Sequence, residues 1–348
     1  CLQSCTDALT RWNKVEFGHV GWRISSLKSQ LQRLESQPDL HGEEIRRVQR
    51  ELNSWLDLEE VMWKQRSRNL YLEAGDRNTR FFHVKASTRH QKNLMEGLED
   101  SSGSWQASPE VVEAIVLDYF SSLFTSSNPT EIGRITNSVQ AVVSEPMNQL
   151  LSRDFQASKV HQALKQMHPT TAPGPDGMPP LFYQKFWSVS GNCVTKAVLD
   201  FLNHGVAPPD FNDTHIVLIP KVKDPCKVID YRPISLCNVL YKLASKTVAN
   251  RLKNVMSSIV SENQSAFTKG RFITDNILVA YETMHHISHK RTGKMGEMAL
   301  KLDMSKAYDR VEWDCLKGIM QKLGIHRRMV EVVMRRVCTV TYSVRING

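Results

Sequence analysis

The stretch "ALKLDMSKAYDRVEW", Ala299 to Trp313, reads as a buried strand over 298–304 that carries a carboxylate near its end. Ala299, Leu300 and Leu302 are apolar, Asp303 follows, and Ala307, Tyr308 and Asp309 come next. A charge at such a place is costly unless something compensates it. Two compensations fit the residues. Asp303 could bind Mg²⁺, a hard cation that takes oxygen ligands, with the Met304 main-chain carbonyl beside it and Tyr308 lying flat under the sugar of a nucleotide. Asp303 could instead form an ion pair with Lys301 or Lys306. Asp309 has its own options, capping the next helix or pairing with Lys306 or Arg310.

Working outward, the charge is uneven. The 348 residues carry a formal net charge of +9. Residues 61–95, 214–253 and 317–348 each hold a surplus of six positive charges, so the rest of the chain is acidic. Clustered positive charge fits a polyanion, nucleic acid above all, and it also fits an ordinary solvated surface. The seven cysteines are scattered with no CxxC pair, which fits a reducing compartment and argues against a disulfide scaffold or structural zinc. No apolar run approaches the ~18 residues of a membrane span, and no signal peptide is seen. The length allows two or three domains.

Residues 1–72 predict a helical hairpin. Ile24, Leu27, Leu31 and Leu34 recur at three and four residues, as do Ile45, Val48, Leu52, Trp55, Leu58 and Met62, around the turn signal "SQPDLHGEE". In "EAGDRNTRFFHVKASTRHQKN", Arg77, Arg80, Lys85 and Arg89 alternate with Phe81 and Phe82. The charges suit phosphates, and the rings suit either base stacking or the core. A hairpin turning at Asp100–Gly103 and a helix opening at Pro109 follow, and residues 125–150, rich in Ser, Asn and Pro, read as a domain boundary. From 155 on, helices (157–167, two over about 181–205, 238–258, 274–290, 313–323, 326–337) alternate with strands (214–219, 229–234, 298–304, 340–346), an α/β or α+β pattern.

A second constellation is "HIVLIPKVKDPCKVIDYRPISL". Lys221, Lys223 and Lys227 crowd a turn and Arg232 follows, point charges and a bidentate fork that suit a triphosphate or a basic exposed hairpin. "APGPDG", Ala172 to Gly177, imposes a rigid multiple turn. His285 and His289 share a helical face without the glutamate of a zinc hydrolase. No GxxxxGK[ST], GxGxxG or GxSxG occurs.

Taken in order, "APGPDG", "LIPK", "DYRPISLCNVLYKLASKTVANRLK", "NQSAF" and "KLDMSKAYDRVEW" resemble LINE-type (non-LTR) retrotransposon reverse transcriptases, the plant members most. The resemblance covers about residues 10–348 and is strongest from 165. "RWNKVEFGHV" and "WKQRSRNLYLEAGDRNTRFFH" are similar to the linker after the endonuclease domain of these proteins. Thr171, where the family often has lysine, and Thr268–Lys269, where Val-Pro is usual, depart from it.

The resemblance implies an α+β fold: right-hand polymerase fingers over 151–297 and a partial palm over 298–348. A helical N-terminal module (1–72) and a basic segment with hairpin and helix (73–150) would precede them. It implies Asp303 as the first catalytic aspartate, holding Mg²⁺ with the Met304 carbonyl. Lys221 and Arg232 would grip the triphosphate, and Tyr308 would exclude a ribose 2′-hydroxyl. Arg271, Lys223 and Lys227 would contact template or nucleotide, and Arg77, Arg80, Lys85 and Arg89 would form a nucleic-acid surface. The partners implied are an RNA template, a DNA primer and deoxynucleoside triphosphates, with no membrane, in a nuclear or nucleocytoplasmic setting. Family members continue past Gly348 into a second aspartate pair and a thumb. The chain is therefore expected to be a fragment, inactive alone. A non-catalytic nucleic-acid-binding remnant and a helical interaction protein are the competing readings.

Overall fold

A computed structural model describes residues 2–36, 38–67, 79–268, 270–293 and 295–347. The chain divides into two units, one made of Cys1–Val112, Leu218–Pro233 and Arg345–Gly348, the other of Glu113–Val217 and Ile234–Val344.

The first unit is built from apolar stripes on helices. α1 (Leu2–Trp12) leads to α2 (Val20–Leu34) and α3 (Pro38–Ser67). Ile24 and Leu27 of α2 bury against Val48 and Leu52 of α3, flanked by Leu31, Leu34 and Trp55. One narrow stripe per helix suffices for such a seam. α3 restarts at Pro38, so Gly42 lies inside the helix rather than in the turn expected around it.

α4 (Thr79–Asn93) packs on α3. The two phenylalanines separate: Phe82 is fully buried, whereas Phe81 is half-exposed beneath Lys85, whose ammonium lies 5.6 Å from the ring centroid. β1 (Leu98–Glu99) and β2 (Trp105–Gln106) form the antiparallel hairpin expected around Asp100–Gly103. The Asp100 carboxylate accepts from the Ser102 hydroxyl, the Gln106 amide and the Ser102 and Ser104 main-chain N–H groups, and these bonds hold its pKa down at about 2.

α5 (Pro109–Phe124) starts with proline at its first position and carries the chain into the second unit. That unit contains α6 (Ile132–Asn137), α7 (Glu145–Ser152), α8 (Ala157–Lys165), α9 (Pro180–Lys185) and α10 (Trp187–Leu199). β3 (Asp213–Pro220) leaves it and β4 (Tyr231–Cys237) returns. α11 (Val239–Leu252), α12 (Met256–Ile259), α13 (Ile273–His289), α14 (Trp313–Lys322), α15 (Arg327–Cys338) and β5 (Thr341–Arg345) complete the chain. The sheet order is β4–β3–β5. The fold is therefore mixed α+β, with a helical N-terminal region and a small sheet.

α8, α10 and α11 pack together, and Val160, Leu164, Val194, Val198, Leu243 and Val248 form the core between them. Arg251 closes one end of α11. Its guanidinium lies 3.4 Å from the Phe155 ring centroid and donates to the carbonyls of Leu151, Arg153 and Asp154. Burial there lowers its pKa to about 10.

One expected element is corrected. No strand forms at 298–304: residues 295–304 run without regular structure apart from a bend, with Leu300 75% and Leu302 82% exposed. A strand exists by hydrogen bonding to a neighbour, and among the described residues none lies beside this one. Asp303 consequently stands in water, and the burial cost that posed the question does not arise here. α13 forms where the periodicity placed it, but none of its residues is buried.

Candidate functional site

In the first unit, the segment between β3 and β4 is held by its own backbone. The Lys221 N–H donates to the Asp230 carbonyl at 2.8 Å and its ammonium to the Ile229 carbonyl at 2.8 Å. The Asp230 carboxylate accepts from the N–H groups of Cys226 and Lys227 at 3.2 and 2.9 Å. Lys227 also pairs with Glu99 at 3.5 Å, and the Glu99 N–H donates to the Cys226 carbonyl at 2.8 Å. These bonds anchor the segment to β1 and leave Lys223 and Arg232 exposed. Of the basic residues singled out near α4, Arg80, Lys85 and Arg89 lie on it, while Arg77 is outside the described residues. α4 contains no Asp or Glu, so no acid on the helix itself offsets them.

In the second unit, "APGPDG" meets the start of α11. The Asn238 side chain accepts from the Asp176 N–H at 3.1 Å and donates to the Asp210 carbonyl at 3.0 Å. Lys242 donates to the Ala172 carbonyl at 2.6 Å. Two of the stretches that carry the resemblance are therefore one structural joint. Asn238 was missed by sequence reasoning, because nothing local marks an asparagine as a bridge across 62 residues.

Asp176 in this joint has its pKa raised. Burial is the main cause, opposed by the Met178 N–H, Lys242 and the Tyr183 hydroxyl. The folded state thus holds this proton more tightly than the unfolded chain. Its contribution to stability is fully present below the unfolded carboxylate pKa and is lost as pH rises through the folded value. Asp176→Asn keeps an acceptor for Met178 and removes the charge. The variant should melt higher than the parent at pH 7, and the difference should shrink as pH falls into the carboxylate range, as thermal melts at pH 7 and pH 4 would measure.

Arg271 holds its own loop. Its guanidinium donates to the carbonyls of Ser257, Val260, Ser261 and Gln264. Tyr308 lies within a turn in which Lys306 has φ +54° and the Lys306 carbonyl accepts from the Asp309 and Arg310 N–H groups at 3.0 and 3.1 Å. The Tyr308 ring stands edge-on to Phe267, with centroids 6.2 Å apart. Glu312, not Asp309, organises the entry to α14: its carboxylate accepts from both the Ser126 hydroxyl and the Ser127 hydroxyl and N–H. The Ser126 hydroxyl is the main cause of its lowered pKa. Asp303 and Met304 are both exposed. Among the described residues no group of three or more His, Cys, Asp or Glu side chains could hold a metal ion. Asp303 with one carbonyl does not by itself make up a magnesium site.

Residues 219–347, which include the β3–β4 segment, Arg271, Asp303 and Tyr308, match the family "Reverse transcriptase (RNA-dependent DNA polymerase)". This stretch is similar to reverse-transcriptase domains of the non-LTR retrotransposon type. The chain is 27% identical over 284 residues to the "Transposon TX1 uncharacterized 149 kDa protein" of Xenopus laevis, covering 81% of this chain and 21% of that protein. It is 25% identical over 164 residues to the "Retrovirus-related Pol polyprotein from type-1 retrotransposable element R2" of Nasonia vitripennis, 47% of this chain and 15% of that one. It is 34% identical over 95 residues to the "Probable RNA-directed DNA polymerase from transposon BS" of Drosophila melanogaster, 27% of this chain and 10% of that one. The chain thus spans about a fifth or less of the length of these relatives. No helix among its described residues is long and apolar enough to cross a membrane.

Proposed function

We propose that the chain is part of an RNA-directed DNA polymerase of a non-LTR retrotransposon, working as fingers and partial palm of a right-hand fold. The match of residues 219–347 to the reverse-transcriptase family carries this reading. The reaction is transfer of a deoxynucleotide from its triphosphate to a primer 3′-hydroxyl, directed by an RNA template. Asp303 is the catalytic carboxylate. Lys221 and Arg232 grip the triphosphate, and Tyr308 discriminates the sugar. Arg271, Lys223 and Lys227 each contact template or nucleotide. Magnesium use and action on nuclear DNA rest on the family alone. The plant-like affinity rests on the quoted sequence motifs, since the relatives named above are animal proteins.

A second reading, nucleic-acid binding without synthesis, is favoured by the exposed, irregular setting of Asp303 and the acid-free helix α4. Both readings require phosphate contacts. Binding to an RNA–DNA primer–template should weaken steeply with salt, because each neutralised phosphate releases counterions. Reversing Arg80, Lys85 and Arg89 together to Glu should flatten the log–log salt slope by about 2 and weaken binding at 0.1 M salt by about 100-fold. Fluorescence anisotropy across a salt series measures both. Salt-independent binding, or none, would overturn the proposal.

A further inference from the structure

We propose that Phe267 and Tyr308 together form a corner that seats the ring system of one nucleotide unit, with Phe267 as its second wall. The inference deepens the polymerase reading and rests on it. Phe267 is 88% exposed and Tyr308 77%, and their rings meet at 79°. An edge-to-face pair leaves a broad open face on each ring, so the two present a right-angled apolar recess to solvent.

The setting of Phe267 is not that of a packing residue. Its backbone has φ +61°, a left-handed conformation that sterics disfavour for a side chain of this bulk. The surrounding loop imposes it. Arg271 ties down the carbonyls of Ser257, Val260, Ser261 and Gln264, and buried Thr268 follows directly. A braced, strained backbone that holds an aromatic ring in water fits a ring that meets its partner from outside the chain. The chemistry that matches two exposed aromatic faces, within a reverse-transcriptase domain on a basic chain, is a flat heterocycle carried on phosphate. It can arrive as a free triphosphate or as an unpaired residue of a strand.

2-Aminopurine, whose fluorescence is quenched by stacking, separates the two sources. One arm titrates the 348-residue chain into 2-aminopurine deoxyriboside triphosphate. The other uses a single-stranded oligonucleotide with one central 2-aminopurine. Quenching in either arm is expected, and the arm that quenches names the source. Phe267→Gly removes the ring and relieves the left-handed strain, so it should melt no lower than the parent. It should abolish the quench and weaken binding in that arm by about tenfold, with the salt slope unchanged. Phe267→Trp should restore both. If the strand binds with normal salt dependence but quenches in neither arm, or if Phe267→Gly behaves as the parent, the corner is refuted while the polymerase reading stands. If the strand fails to bind at low salt, both fall.

Discussion

Gly174→Ala is expected to destabilise the chain by about 3 kcal/mol, the upper range for overpacking a site that cannot relax. A Cβ at this position would sit 2.4 Å from the Asn238 main-chain nitrogen, 2.4 Å from the Cys237 carbonyl carbon and 2.5 Å from Asn238 Oδ1. Two of these three atoms are backbone, so no rotamer change clears them. The alternative is to move the start of α11, whose Val239, Leu240, Leu243 and Ala244 are buried. Either response also strains the Asn238 bridge between Asp176 and Asp210. Gly133→Ala is the matched control: it lies in α6 with nothing within 4 Å of the added carbon. There alanine should stabilise by about 0.5–1 kcal/mol, from helix propensity alone. Urea denaturation of the three proteins measures the contrast. An unchanged midpoint for Gly174→Ala would mean that the joint between "APGPDG" and α11 is not rigid.

That joint shows where sequence reading stops. The α2–α3 seam, the Asp100 turn, the start of α5 and the strands β3 and β4 were legible because each is a local pattern: apolar spacing, a turn residue, a proline at a helix start. Asn238 and Gly174 meet across more than sixty positions, and no local pattern reports a tertiary approach. Phe81 and Phe82 are adjacent in sequence, yet only Phe82 is buried, because the helix turns them to different faces. Arg271 looks in sequence like a free cation beside a ligand. Its donors are in fact taken by four carbonyls of its own loop. The stretch 298–304 has strand composition, but composition does not supply the neighbouring strand that makes one. The family resemblance supplied roles for Asp303, Tyr308, Lys221 and Arg232 that their local spacing left open between chemistry and ordinary ion pairs.

Asp303 carries the largest expected effect on function. In a polypeptide that contains this domain and extends a primer, Asp303→Asn should cut synthesis by about 1,000-fold or more, the scale of losing one group aimed at charge in the transition state. Asparagine keeps the size and removes the charge, so the loss reports electrostatics rather than packing. Asp303 is exposed here, so the change should leave the melting temperature where it was. Primer–template affinity should also hold, because phosphates are met by Lys and Arg and not by a carboxylate. The 348-residue polypeptide supplies the complementary test. It should bind primer–template with an affinity that falls steeply with salt, because its Lys and Arg side chains meet phosphates. Full activity of the polymerase carrying Asp303→Asn would remove Asp303 from the centre of the reaction. The remaining pattern, binding retained and synthesis lost only with the charge, is one that a surface ion pair to Lys301 or Lys306 would not produce, since exposed pairs are worth at most about 1 kcal/mol.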